Sequence, residues 1–436
     1  MIRMNKIITL VILALGLVSL TKAQEKGATP NVKFIPVYEK VVDDTIRKVV
    51  YDEIEVSAKD AMDMGRNYVG IESKQKVRML YPKIIVTDDE IAFYAPNGKL
   101  KKGISRRIKM YGKDAVTEVF ISPNGKYVGL RKGIWKEEVG SRCEFVMYND
   151  SGERLWEVDV SKLDAGAYYI SPNGEYFVAY GDPTGDFCDY IPSIWDRNGL
   201  RVKLFPEDVS DVDAYWICDQ VAFSPDGERI VVVKSNNFEK TATAILYNKY
   251  GKKIWEKRIG EGGGGWRSIK VSPSGKYIAI SVWETSTKKS AILLLDAKGN
   301  LLWKIPNINL GTSEFRFSDD EKNLVYINGR GLVHFIDLKN GKILWQFDKT
   351  EEEIGRFYVV ATPSDFGFVV VGVYGHYGRA DRILLFNNAG ELLSDRQFEN
   401  GSFCGFPLIN VSSDGCELIM YISNAIKVEQ IRIAGR

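Results

Sequence analysis

A short motif returns along this 436-residue chain at a nearly constant interval. Ile121-Ser-Pro-Asn-Gly-Lys-Tyr-Val-Gly-Leu130 comes back as Ile170-Ser-Pro-Asn-Gly-Glu-Tyr-Phe-Val-Ala179. It comes back again as Phe223-Ser-Pro-Asp-Gly-Glu-Arg-Ile-Val-Val232 and Val271-Ser-Pro-Ser-Gly-Lys-Tyr-Ile-Ala-Ile280. Weaker copies start at Ser318, Thr362 and Ser412, and successive copies are 44 to 53 residues apart. A steady period of that size means that one supersecondary unit is stacked many times.

Each unit reads as β. Apolar residues alternate into Ser-Pro-x-Gly and a second apolar run leaves it. Proline presets φ and glycine accepts positive φ, which is turn chemistry. A second hairpin follows in Tyr148-Asn-Asp-Ser-Gly-Glu-Arg-Leu-Trp156, Tyr247-Asn-Lys-Tyr-Gly-Lys-Lys-Ile-Trp255 and Leu295-Asp-Ala-Lys-Gly-Asn-Leu-Leu-Trp303, with a copy ending at Trp345. Each unit therefore holds four strands, a to d, and four-stranded units of this length are blades of a β-propeller. An earlier second hairpin, Tyr94-Ala-Pro-Asn-Gly98, and the alignment of Ile71–Leu80 with Ile121–Leu130 make 66–106 a degenerate first blade and the total eight. The last blade, with strand c in Ala425–Ile433, lacks strand d, and a strand within 32–56 is expected to fill the gap and close the ring. Seven blades, with 24–90 as a separate segment, is the alternative. The expected division is 1–23, an N-terminal segment 24–65, and the propeller 66–436.

Residues 1–23 carry an export signal: Arg3 and Lys6 precede an apolar run from Ile7 to Leu20, with Ala23 as the cleavage point. The run is too short to favour spanning a bilayer, and no integral membrane segment is expected after cleavage. Arg3, Lys6 and Lys22 leave with the signal, so the chain's 59 basic residues fall to 56 against 57 acidic. Such balance excludes a polybasic nucleic-acid binder. The expected location is periplasmic or extracellular.

The Phe223-Ser-Pro-Asp-Gly227 unit resembles the repeats of TolB-type and WD-like bacterial propellers. The Asp296-Ala-Lys-Gly299-Asn-Leu-Leu-Trp303 unit resembles the outer hairpin of PQQ-like (quinoprotein) repeats. The resemblance covers roughly 66–434. It implies the fold and leaves function open, because propellers host unrelated activities. Quinoproteins of this type hold their cofactor near adjacent cysteines; the five here, at 143, 188, 218, 404 and 416, are never adjacent. The Trp residues at 156, 255, 303 and 345 share one repeat position, which assigns them to inter-blade packing.

No nucleophile elbow or His-Glu-x-x-His motif occurs. The repeated serine belongs to a turn, His334 lies in a strand, and no catalytic residue is assigned. No cofactor is assigned either. Asp182, Asp186 and Asp189 could offer oxygen ligands to Ca²⁺, but they lack a full ligand run and read equally as a solvated turn. On strand a, the positions one and three before the turn are apolar, as in Val119 and Ile121 or Phe315 and Phe317. The alternate positions carry Glu118, Lys270, Glu314 and Arg316. Period two puts them on the opposite face, lining the channel or forming a charge network.

Binding is expected on the b–c and d–a loops, which carry the aromatic and cationic residues that favour interfaces. The candidates are Trp216, Trp266, Arg267, Trp283, His376, Tyr377 and Arg379. Cys188 and Cys218 fall on that same rim in an oxidising compartment and form the expected disulfide, with free thiols as the alternative. The expected function is that of an exported, non-enzymatic scaffold for a protein, peptide or glycan. A cofactor- or metal-dependent enzyme, quinoprotein-like or hydrolytic, is the alternative.

Overall fold

A computed structural model describes residues 32–433, apart from 42–45, 65, 67–71, 111–112, 137–139, 161–163, 183–190, 199, 205–215, 237–240, 262–267, 285, 309–313, 328–331, 349–356, 362–368, 374–380, 399–408, 412–416 and 423–424. The strands form eight four-stranded antiparallel sheets and one small hairpin. The second sheet shows the plan: Glu118–Ile121, Tyr127–Lys136, Gly140–Asn149 and Arg154–Asp159 lie side by side in chain order. The third to seventh sheets repeat it, ending with Phe357–Ala361, Val369–Val373, Asp381–Phe386 and Leu392–Phe398.

The repeated residues explain the repeated turns. Ser122 Oγ accepts from the Tyr127 amide at 3.0 Å, Ser171 from Tyr176 at 3.2 Å and Ser224 from Arg229 at 2.9 Å. A side-chain acceptor thus satisfies the first amide of the returning strand, and the glycine takes positive φ, +66° at Gly125. In the sixth sheet Glu321 stands in the glycine position at φ +54°. Its carboxylate accepts from the Ser274 amide and hydroxyl of the fifth sheet, at 2.5 and 2.7 Å. The second turn uses an Asx cap: Asp296 Oδ1 accepts from the Lys298 and Asn300 amides, both at 2.8 Å.

The core is a series of layers, each built from two neighbouring sheets. Ile84, Phe93, Val128 and Tyr148 join the first and second sheets, and Val231, Leu246, Ile280 and Leu293 the fourth and fifth. Val119, Val221, Phe223, Ile269, Phe315 and Phe317 are buried, as the period-two reading of strand a expects, while Ile121 and Val271 of the same set are half-buried. Trp255 donates through Nε1 to the Ala297 carbonyl of the next sheet at 3.0 Å, Trp303 to Leu338 at 2.8 Å and Trp345 to Asn388 at 3.0 Å. The tryptophan thus hooks the fourth, fifth and sixth sheets to the outer turn of the successor, whereas Trp156 of the second donates to the Gly174 carbonyl in the a–b turn of the third, at 3.1 Å.

Both ends of the chain depart from the plan. Val32–Val41 pairs antiparallel with Ala425–Ile433 and supplies the fourth strand of the last sheet. The first sheet takes Ile46–Ser57 as strand a, paired with Lys76–Thr87, followed by Glu90–Tyr94 and Leu100–Ser105. Strand a thus lies further upstream than the alignment of Ile71–Leu80 places it. The connection holds a short helix, Ala58–Asp63, capped by Ser57, whose Oγ accepts from the Asp60 amide at 3.1 Å. The buried Ala58 and Ala61 of this helix pack with Met79, Tyr94, Ile419 and Val428, joining the first sheet to the last.

Candidate binding face

Strand direction alternates within each sheet, so the a–b and c–d turns share one face and the b–c and d–a connections the other. Lys249 of a c–d turn lies 2.9 Å from Glu228 and 3.8 Å from Glu175, both on a–b turns, consistent with that division. Five residues separate strands a and b in each of the second to sixth sheets. Between b and c the separation ranges from two to eight residues in the second to eighth sheets. From the d strand of the second to sixth sheets to the next a strand it ranges from four to eleven. Across the second to sixth sheets the a–b turns are uniform and the opposite connections vary, while the a–b connections of the first and seventh sheets lengthen to eighteen and seven residues.

Three parts of the variable face are described. Between the first two sheets, the d–a connection forms a hairpin, Arg107–Met110 with Lys113–Val116. Buried Arg106 roots it, donating to the Thr87 carbonyl and to the Thr117 carbonyl, the latter at 2.8 and 3.2 Å. Arg107 grips Asp89 with two bonds of 2.6 Å, and that bidentate contact holds the Asp89 carboxyl below its ordinary range.

Next to this hairpin, on the second sheet, Glu118 meets Arg131 at 3.1 Å, and Arg131 Nε lies 3.3 Å from Cys143 Sγ. The Arg131 guanidinium sits 5.9 Å from the centroid of the buried Tyr168 ring, within cation–π range. Burial pushes the Cys143 thiol and the Tyr168 hydroxyl above their ordinary values. The thiol is therefore protonated and a poor nucleophile at neutral pH. Phe120, Phe145 and Phe177 complete an aromatic layer around the Tyr168 ring.

The third part joins the fourth and fifth sheets. Glu261, at the end of a d strand, accepts from the Ser286 amide at 2.8 Å, which holds its carboxyl below the ordinary range. Lys304 pairs with Glu284 beneath the same b–c turn. Half-buried Trp283 is set opposite Ser290.

These contacts revise part of the expected site. Trp283 belongs to the strand Tyr277–Glu284, and Trp216 and Cys218 to Trp216–Phe223, whereas the spacing placed all three in loops. Asp182 likewise ends the strand Tyr176–Asp182, opposite Asp164. Exposed Glu118 and half-buried Lys270 and Arg316 lie on strand a, with Glu314 at the start of Glu314–Phe317. Trp266, Arg267, His376, Tyr377, Arg379, Asp186, Asp189 and Cys188 lie outside the described residues. Among the described residues no three His, Cys, Asp or Glu side chains form a metal-holding group, and no helix is long and apolar enough to cross a membrane. The Arg106 root and the Arg131–Cys143 pairing escape sequence reading, because neither recurs in the repeat.

No protein-family model matches the sequence, and no curated protein matches it. Solved structures do. The structure of BamB from Moraxella catarrhalis superposes with a TM-score of 0.52 at 12% identity, covering 91% of this chain and 100% of that one. A structure described as the eukaryotic initiation factor superposes at 0.50 with 11% identity, covering 77% of this chain and 78% of the other. At such identity the likeness is one of fold. Together with the eight sheets it defines the chain as an all-β protein of the β-propeller type.

Proposed function

We propose that this chain is an exported β-propeller scaffold that binds a protein, peptide or glycan through its b–c and d–a face. The observation that carries the reading is the asymmetry, across the second to sixth sheets, between five-residue a–b turns on one face and unequal connections on the other. A rigid frame that varies only on one face concentrates recognition there. The ring is read as eight blades closed by Val32–Val41, a pairing that abolishes the open edge a long sheet protein must otherwise guard. Residues 1–23 direct export, and a Cys188–Cys218 disulfide braces the binding rim. Trp216, Trp266, Arg267, Trp283, His376, Tyr377 and Arg379 supply aromatic and cationic contacts, beside the arginine-rooted hairpin at 107–116. A near-neutral chain recognises its partner by shape and aromatic contact more than by charge steering. Crosslinking in the native cell envelope, followed by partner identification, tests this. Trp266→Ala with Arg379→Ala should abolish capture of the crosslinked partner while the melting temperature holds. Undiminished capture by the folded double variant would move the site elsewhere.

A further inference from the structure

The opposite face carries a second surface. Among the described residues nine large apolar side chains are exposed, and eight of them sit on the c–d hairpin, at the outer rim of the turn face. Leu100, Leu155, Leu200, Tyr250, Leu302 and Leu344 represent the first six sheets in turn, with exposures from 39% to 70%. Ile254 and Leu301 double the fourth and fifth positions. Leu155, Ile254, Leu302 and Leu344 each directly precede the hooking tryptophan. The tryptophan turns inward to the next sheet and its neighbour turns out. A single exposed leucine needs no explanation, but one position exposed in the second, fourth, fifth and sixth sheets, with a neighbouring position exposed in the first and third, does.

The charge on these hairpins is one-sided. The six segments 95–102, 149–155, 196–202, 248–254, 296–302 and 337–344 contain twelve Lys and Arg against five Asp and Glu. The whole chain is balanced at 59 to 57. Lysines alone on an outer strand would only guard it against pairing. Lysines interleaved with outward Leu, Ile and Tyr make a surface that is both cationic and apolar.

Its layout selects the partner. The tryptophan hooks set the fourth, fifth, sixth and seventh c–d turns side by side. Gly152 of the second c–d turn lies against Phe93 and Lys102 of the first sheet. Points spread along the rim of a disc are all touched at once only by something broad and flat. The geometry points to an anionic phospholipid surface as that partner, with the lysines on the headgroups and the Leu, Ile and Tyr side chains in the interface. The variable face then looks away from the membrane and stays open to its own partner.

Flotation of the purified mature protein tests this, with vesicles of phosphatidylcholine alone and of equal parts phosphatidylcholine and phosphatidylglycerol. Binding to the mixed vesicles, lost at high salt and absent on phosphatidylcholine, is expected. Lys252→Gln, Lys298→Gln and Lys342→Gln together should weaken it by about a hundredfold. Tyr250→Ser, Leu302→Ser and Leu344→Ser together should weaken it without changing its salt dependence. All six positions are at the surface, and an unchanged melting temperature certifies the fold. Failure to float with the mixed vesicles overturns the inference, as does binding indifferent to the serine changes, which would mark the rim as a plain polyanion site. The Trp266→Ala, Arg379→Ala variant should float like the parent, so failure of the binding-face reading is read separately.

Discussion

The joint between the fifth and sixth sheets and the seam between the seventh, last and first sheets do the same task with different chemistry. The former uses repeat parts: Trp303 donates to the Leu338 carbonyl, and its indole lies against Gly341 at φ +73°, where an added Cβ would approach within 2.7 Å. The seam has no such hook among the described residues. It uses the added strand Val32–Val41, the helix Ala58–Asp63, and an ion pair between Arg396 of the seventh sheet and Glu429 of the last. A repeat can be extended by copying one joint. Closing it requires parts that occur once.

The largest expected effect follows from that difference. Deleting residues 24–41 removes nine paired positions along Ala425–Ile433, including the partners of Val428 and Ile431. At roughly 0.5 kcal/mol per cross-strand pair, the loss is of order 5 kcal/mol, and it leaves an exposed edge that invites aggregation. Thermal unfolding should show a large drop with loss of solubility. A deletion variant that melts with the parent would mean that the seam is closed some other way.

The Arg396–Glu429 pair comes next. Both side chains are about nine-tenths buried, at 11% exposure. Glu429→Ala removes the carboxylate that pairs with both terminal nitrogens of this guanidinium and should cost about 3–5 kcal/mol in chemical denaturation. Arg396→Met with Glu429→Leu should recover most of that, because two buried charges are replaced by packed apolar volume. A double variant as unstable as the single one would show that the pair, and not the burial, holds the seam.

The same contrast explains what could be read from the sequence. Ser122, Gly125 and Trp303 were legible because a turn or a hook admits few residue types and the chain repeats them. Strand Ile46–Ser57 was not, since its connection to Lys76–Thr87 carries a helix where the other sheets carry Ser-Pro-x-Gly or a relic of it. Trp283 and Trp216 were assigned to loops because apolar alternation fades towards a strand end, yet backbone pairing continues to Glu284 opposite Lys289 and from Trp216 opposite Asn236. Pairing needs only backbone groups, so it outlasts the side-chain pattern. The Arg106 root was hidden for a related reason: its acceptors are the carbonyls of Thr87 and Thr117, which carry no side-chain signature.

A smaller change probes the repeat joint. Gly341→Ala forces a Cβ against Trp303 and a left-handed backbone on alanine, and should cost about 1–3 kcal/mol. In a Trp303→Ala background the steric part should vanish and only the backbone part remain. Additive losses in denaturant titrations would mean that the glycine serves its own turn and not the hook.

The last prediction concerns acid sensitivity within a regular sheet. His334 is 4% exposed on strand c of the sixth sheet, set between Tyr326 and Gln346, and its Nδ1 has no hydrogen-bond partner. Burial holds its imidazole below the ordinary histidine range, while Asp348 pulls the other way. The folded state therefore resists protonation that the unfolded chain accepts near pH 6.5. The unfolded state binds more protons as pH falls through that value, so the stability is complete above it and is lost towards the depressed folded value. One such group contributes a slope of at most about 1.4 kcal/mol per pH unit. Melting curves at pH 7.5, 6.5 and 5.5 should show a decline that His334→Phe flattens, whatever that variant does to absolute stability. A slope unchanged by His334→Phe would place the acid sensitivity elsewhere.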